Sequence, residues 1–386
     1  MTDSSLPRRT ATRSVVLAAM ALPGVWAGTV HAESAPEKGL IGLKYLRYQD
    51  EQTGLKRITV DAPSAYLLVP LSSKWSIEGS AVVDSLSGAT PREHTSIISS
   101  SSMSDLRKAG DVRVTYYGRR SSYGLSASYS TENDYSSLAL AANASFSSDD
   151  NNTTFSIGYG HSYDKIFALA GNGELLNERK ETNEFLLALT QAMSPRDLLQ
   201  MNLTVTNGKG FFNDPYKFAI VNGVQFLDTR PGERTQTAIL ARWNHHFESL
   251  HATLRPSFRY YVDTFGVQAN TWQLEWAQAL GPVTITPLLR YYTQRAANFY
   301  SDPDPNNPDL SQAPAQEFYS TDQRLAGYGA ITVGLKADIR VGWGWSFDFK
   351  AEGYEQRAEY RLGGDGSPGL EPFRATFFQV GVAKTF

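Results

Sequence analysis

The chain has 386 residues, 19% charged and 41% hydrophobic, with 31 Gly, 20 Tyr, 7 Trp and no Cys. The absence of cysteine excludes a disulfide framework, a thiolate metal site and a cysteine nucleophile. The 36 basic and 39 acidic residues nearly cancel, to a formal −3, which excludes a general basic surface for nucleic acid. A mean hydropathy of −0.34 excludes a bundle of membrane helices, but not a membrane barrel, whose strands show only alternate residues to lipid.

In chain order, the first expected element is a secretory signal over residues 1–32. Arg8, Arg9 and Arg13 form a positive n-region. Val15 to Ala27 are apolar but too short to span a bilayer, and Val30-His31-Ala32 offers a small-x-small cleavage site before Glu33. The Arg8-Arg9 pair invites a twin-arginine reading. Thr10-Ala11-Thr12 then stands where apolar and basic residues belong, so ordinary export is the preferred reading. An exported chain without cysteine suits an oxidising envelope.

From residue 33 onward the rhythm is period two. In Trp345-Ser346-Phe347-Asp348-Phe349-Lys350-Ala351-Glu352 the apolar residues fall on one face of a strand and the charges on the other. Such runs cover residues 39–49, 56–69, 74–84, 108–119, 121–131, 135–147, 153–163, 183–193, 198–208, 235–247, 252–263, 267–279, 283–295, 323–337, 342–355 and 373–386. Their length, about ten residues, is that of a tilted membrane strand and exceeds the usual sandwich strand. There are sixteen, and a closed bacterial barrel wants an even number. Short links follow the even-numbered runs. Most long ones follow odd-numbered runs, at 85–107, 164–182, 209–234, 296–322 and 356–372. This asymmetry predicts an all-β, up-and-down antiparallel transmembrane barrel over residues 33–386, with both termini on the short-turn, periplasmic side.

The last run alternates Phe378, Val380 and Val382 with Gln379, Gly381 and Ala383, and ends on Phe386. A terminal aromatic on an alternating strand resembles the signal that outer-membrane barrels present to their assembly machinery. That machinery is therefore an expected partner through Phe386, although Lys384 departs from the pattern. Ser87-Gly88-Ala89-Thr90-Pro91, Asp214-Pro215-Tyr216-Lys217, Arg230-Pro231-Gly232-Glu233-Arg234 and Tyr319 to Lys336 are similar to segments of a porin-like family of uncharacterised proteobacterial outer-membrane proteins. The resemblance implies a barrel and carries no activity.

Parity then assigns the lumen. With the aromatic and aliphatic face toward lipid, Arg242, Arg255, Arg259, Glu275 and Arg290 point inward from neighbouring runs. Arg242, Arg259, Glu275 and Arg290 are expected at similar heights. Arg113, Asp348 and Lys350 face inward elsewhere. Opposed charges in a solvated lumen would select small polar solutes. The competing reading pairs these charges into a non-conducting barrel that serves as a structural or docking element. Outer-membrane lipid and lipopolysaccharide are the expected surroundings.

Catalytic readings are weak. His161, Ser162 and Asp164 are close in sequence, yet nothing in the spacing orients a base on a nucleophile. His245, His246 and His251 have no carboxylate at metal-ligand spacing. Gly208-Lys209-Gly210 leads into Phe211-Phe212 and not into a phosphate loop, so no cofactor is expected. The acidic, proline-rich segment Asp302 to Asp309 and the serine run Ser99 to Ser102 read as surface loops.

Overall fold

A computed structural model describes residues 34–52, 55–89, 102–169, 173–221, 224–302 and 317–386. The signal segment, the serine run and the acidic segment beyond Asp302 lie outside the described residues, apart from Ser102 itself. The strands are β1 (Leu40–Gln52), β2 (Leu55–Ser72), β3 (Trp75–Ala89), β4 (Ser102–Tyr117), β5 (Ser121–Thr131) and β6 (Tyr135–Ser147). They continue as β7 (Thr153–Ile166), β8 (Glu178–Ser194), β9 (Asp197–Gly210), β10 (Phe218–Val221), β11 (Val224–Leu227) and β12 (Glu233–Phe247). The last six are β13 (Ala252–Asp263), β14 (Gln268–Leu280), β15 (Val283–Gln294), β16 (Tyr328–Val341), β17 (Trp345–Arg357) and β18 (Phe373–Thr385). All except β10 and β11 close into one sixteen-stranded barrel, each strand antiparallel to its neighbours, with β1 zipped to β18 from Leu40↔Thr385 to Gln52↔Phe373. Closure leaves no unpaired edge, the condition for a sheet to cross lipid.

Burial identifies the inside. On the concave face of a closed barrel side chains converge, and there Asp84, Ala277, Thr332, Asp348 and Ala383 are buried. The opposite parity carries large apolar residues left bare around the circumference, among them Leu43, Val112, Leu125, Leu140, Phe185, Leu274 and Val333. An apolar band this continuous is a lipid-facing surface. Lys384 falls on it, but its ammonium turns to the end of the barrel, donates to the Trp343 carbonyl and lies 5.4 Å from the Trp345 ring. The lysine thus keeps its stem on the apolar surface and its charge at the margin.

The two ends of the barrel differ. At the end holding the termini, the links are as short as residues 73–74, 195–196 and 281–282; at the other, they include 167–177, 211–232, 295–327 and 358–372. Several boundaries depart from the sequence reading, among them the start of β8, at Glu178 where residue 183 was expected. The run expected at 323–337 begins only at Tyr328, because the Asp322 side chain accepts from the Arg324 amide and caps a 3-10 turn over Gln323–Leu325. β3 and β4 outrun the expected 85–107 loop, pairing as far as Ala89↔Ser102 beyond the buried Asp84–Arg107 pair. The 209–234 link carries its own hairpin, β10–β11. Within the links at this loop end sits the largest apolar cluster among the described residues, Phe265, Val267, Ala297, Phe299 and Leu325, flanked by Phe212, Tyr261, Tyr300 and Phe318.

Candidate functional site

The inward face carries charge on two opposed walls. On β12–β15, Arg242, Ser257, Gln273 and Arg290 are register partners along one rung. Arg259 lies one rung nearer the loop end, opposite Leu240. Arg255 and Glu275 face each other one rung nearer the termini. The groups form a ribbon: the Arg290 Nε donates to Gln273 Oε1 at 2.8 Å, Gln273 Nε2 donates to Glu275 Oε1 at 2.5 Å, and Glu275 Oε2 lies 3.7 Å from Arg255 Nη1. Arg259 covers the Tyr261 ring at 5.3 Å. Arg242 has no hydrogen bond or ion pair among the described residues.

Strands β2–β5 stand across the barrel from β12–β15 in the sheet order. Their inward charges balance, Glu78, Asp84 and Asp111 standing with Arg57, Arg107 and Arg113. Glu78 accepts from the Tyr66 hydroxyl at 2.8 Å and lies 3.6 Å from Arg113 Nη1. Asp111 accepts from Ser80, and Asp84 binds Arg107. Between these walls, β16 to β1 carry close pairs: Lys350 with Glu352 at 2.8 Å, Lys336 with Asp338 at 2.7 Å, and Asp348 with Lys44 at 3.6 Å. On β5–β7 the inward residues are small and neutral, such as Ser126, Ser128, Ser156 and Gly158, so that side leaves the most room.

Charge of a different kind closes the loop end. The link 211–232 and the segment 317–325 meet through a ring of five charged side chains. Arg230 donates to Asp228 at 2.5 Å and to Asp322 at 2.8 Å; Arg324 grips both Asp322 oxygens at 2.7 and 2.6 Å and reaches on to Asp214. The Asp214 amide returns to Asp228 at 2.8 Å, and Thr229 and Tyr319 exchange backbone bonds. Asp322 has no exposed surface. Burial alone would raise its carboxyl, but Arg324 and Arg230 hold it well below the usual carboxylate range. Lys217, enclosed by the cap although its side chain touches solvent, is pulled down to about 7. The first cause is desolvation, reinforced by Arg324 and Arg57 and opposed by Asp322.

This cap reaches across the mouth. Tyr216 donates to Asp134 in the β5–β6 link, and Lys217 feels the field of Arg57 on β2, seven strands from β9 in the sheet order. Sequence reasoning missed it, and also missed what carries it. At the loop ends of four strands an inward tyrosine bonds the residue two places on: Tyr48 to Asp50 at 3.0 Å, Tyr261 to Asp263 at 2.7 Å, Tyr292 to Gln294 at 2.5 Å and Tyr354 to Gln356 at 2.9 Å. Gln294 passes the support upward, donating to the Arg324 and Ala326 carbonyls at 3.0 and 2.6 Å. The recurring Tyr-x-Asp/Gln at strand ends was the available signal.

The drawn catalytic groups do not converge. His161 points outward to Asn183 Oδ1 at 3.0 Å, whereas Asp164 points inward to Ser137 at 2.6 Å and Lys180 at 3.0 Å. His245 and His246 bond Asp197 and Thr253 at the terminus end, at 2.7 and 3.1 Å. Among the described residues no group of three His, Cys, Asp or Glu could hold a metal ion.

A closed antiparallel barrel with a bare apolar exterior and a charged interior defines an outer-membrane β-barrel of porin-like class. The chain belongs to the family described as "Protein of unknown function (DUF3570)", whose model matches residues 12–98, 93–179 and 172–377. No curated protein matches it. Among solved structures, the chain is similar in fold to CdiB from Acinetobacter baumannii, with a TM-score of 0.52 at 9% identity, covering 89% of this chain and 60% of that one. The siderophore receptor PirA from Pseudomonas aeruginosa gives 0.45 at 11%, covering 84% of this chain and 57% of PirA. A bacterial polysaccharide outer membrane secretin gives 0.49 at 10%, covering 90% and 98%. The chain therefore spans under two thirds of the length of PirA and of CdiB.

Proposed function

We propose that the protein is a non-catalytic outer-membrane pore for small polar solutes, exported by the 1–32 signal, with its termini in the periplasm and its capped loop end outside. The observation that carries this reading is the transverse division of charge. Arg234, Arg242, Arg255, Arg259 and Arg290 give one wall an excess of positive charge over Asp263 and Glu275, while on the opposite wall Glu78, Asp84 and Asp111 are matched by Arg57, Arg107 and Arg113. A barrel of sixteen strands is wide enough for an aqueous lumen. A field across it orders dipolar solutes and favours anions beside the arginine wall. Outer-membrane lipid surrounds the apolar band, and the barrel assembly machinery reads the strand ending in Phe386.

Planar-bilayer conductance of the refolded protein tests the reading. Discrete openings with a reversal potential displaced toward anion selectivity are expected; a heat-modifiable barrel that never conducts overturns it. The second reading is a non-conducting docking barrel, favoured by one observation: the cap ring buries Asp322 and Ser320 completely over the mouth. Cysteines at Asn172 and Asn306 that label on whole cells with an impermeant maleimide, with Arg196→Cys silent, would agree with the proposed orientation; the inverse pattern would reverse it.

A further inference from the structure

The end of the link after β17 packs beside the cap, Leu370 against Tyr300, Ala326 and Tyr328, but its first part turns outward. Tyr291 and Thr293 lie on the apolar, outward parity of β15, and both are captured by this link: the Tyr291 hydroxyl donates to the Tyr360 carbonyl at 2.5 Å, and the Leu362 amide donates to Thr293 Oγ1 at 2.9 Å. Gly329, paired with Thr293, sits so close beneath the Tyr360 carbonyl that no Cβ fits. The Ser367 hydroxyl and amide then clasp Gly327, each at 2.8 Å. A cleft of about 400 Å³ is left on the outer surface of the barrel wall, lined by Arg295, Asn298, Asp302, Arg361, Asp365 and Ser367.

Its position is specific. Directly toward the barrel's waist lie the outward rings of Tyr291, Trp272 and Phe258, neighbouring centroids 5.8 and 5.4 Å apart. The cleft thus opens where the apolar band ends. Arg295 is exposed, and its guanidinium makes no hydrogen bond or ion pair among the described residues. Arg361 spends one N–H on the Asp365 carbonyl at 2.8 Å, leaving others free. Two guanidiniums with free donors fit a phosphate. Asp302 already holds the Tyr300 hydroxyl and the Gly369 amide, each at 3.2 Å, so the Asp365 carboxylate and the Asn298 amide are the groups that fit vicinal sugar hydroxyls, and the rings below offer a surface for acyl chains.

We infer that this cleft binds the phosphorylated sugar headgroup of an outer-leaflet glycolipid, with its acyl chains descending over Tyr291 and Trp272. The inference rests on the outer-membrane reading above but not on conduction. Tyr291 and Trp272 lie on the lipid-facing parity of β15 and β14, where acyl chains and not water surround them, so the membrane lipid is the assigned source.

Native mass spectrometry of the detergent-solubilised barrel tests it, titrating diphosphoryl lipid A, monophosphoryl lipid A and phosphatidylglycerol separately. Wild type should retain diphosphoryl lipid A best. Arg295→Gln should weaken retention roughly tenfold, the scale of one charge-assisted hydrogen bond, and Arg295→Gln with Arg361→Gln further. Heat-modifiable migration and conductance should stay as in wild type. Should the double variant fail to fold, Arg295→Gln alone decides, since its side chain supports nothing. Equal retention of lipid A and phosphatidylglycerol overturns the inference, as does retention unchanged in the variants. Equal competition by a soluble phosphorylated disaccharide overturns the lipid assignment. A wild-type chain that folds and shows none of this preference leaves the pore reading standing. One that never gives a heat-modifiable form overturns both.

Discussion

The cap and the lumen wall use the same side chains in opposite ways. In the cap, Arg230 is 9% exposed and Asp322 not at all, and their contact is 2.8 Å. On the wall, Arg113 is 49% exposed, Arg255 41%, and their carboxylates stand 3.6 and 3.7 Å away. A desolvated charge is stable only with its partners in place, and removal of one leaves the others uncompensated. A half-solvated charge keeps its water, contributes little to stability and stays available to a passing ion. The cap arginines are thus committed to structure, as is Arg107 against Asp84 on the wall, whereas Arg113 and Arg255 are free for selection.

The sharpest way to break this contrast is Asp322→Asn. It removes the carboxylate on which Arg230 and Arg324 converge, and should cost the cap about 3–5 kcal/mol. Hydrogen exchange should collapse in 211–232 and 317–327 while the sixteen-strand ladder stays protected and the barrel remains heat-modifiable. If the cap narrows the mouth, conductance should rise. Loss of protection throughout the barrel would mean that cap and wall are one cooperative unit.

A smaller effect follows from Lys217. Its proton is disfavoured in the closed cap, where it titrates at about 7, against about 10.4 when the cap opens and the amine is solvated. The open state therefore binds more protons between those values, so closure strengthens as pH rises from about 7 and is weakest below it. Exchange in the cap should be severalfold slower at pH 8.5 than at pH 6, after correction for intrinsic rates. Lys217→Gln should flatten that dependence. A slope of the opposite sign would remove Lys217 from the cap's interior.

The two regions were not equally legible. Alternation alone set the facing of Arg242, Arg259 and Asp348 and located the body of each of the sixteen strands, because a period-two pattern is a local property, while the loop-side ends of β3, β4, β8 and β16 were placed less well. The start of β16 was misplaced where a single side chain, Asp322, turns the backbone aside. The cap left no periodic trace. Its bonds join residues far apart in the chain, Asp214 with Arg324 and Arg230 with Asp322, through links whose shape depends on contacts that do not exist until the barrel closes. Yet Asp214, Lys217, Arg230, Asp322 and Arg324 all fall within the short segments that carried the family resemblance. Those segments marked a buried meeting point without revealing that they met.

The wall gives the gentlest perturbation. Replacing Arg242, Arg259 and Arg290 together with Gln removes three positive charges from adjoining rungs of one wall while leaving the apolar exterior untouched. None of the three makes an ion pair among the described residues, and Gln can still hydrogen-bond in a wet lumen. The stability cost should therefore be under about 1 kcal/mol, the range of solvated surface charges. The electrical effect should be plain: with the barrier to cations lowered, the reversal potential in a salt gradient should move toward cation selectivity. The shift should shrink as salt screens the wall. Glu275→Gln should move it the other way, because Glu275 offsets Arg255 at 3.7 Å. Trp345→Gln, on the lipid face, should impair folding without altering the selectivity of channels that form. A triple variant that conducts with wild-type selectivity would show that ions pass along the small-residue side of β5–β7, outside the reach of these arginines.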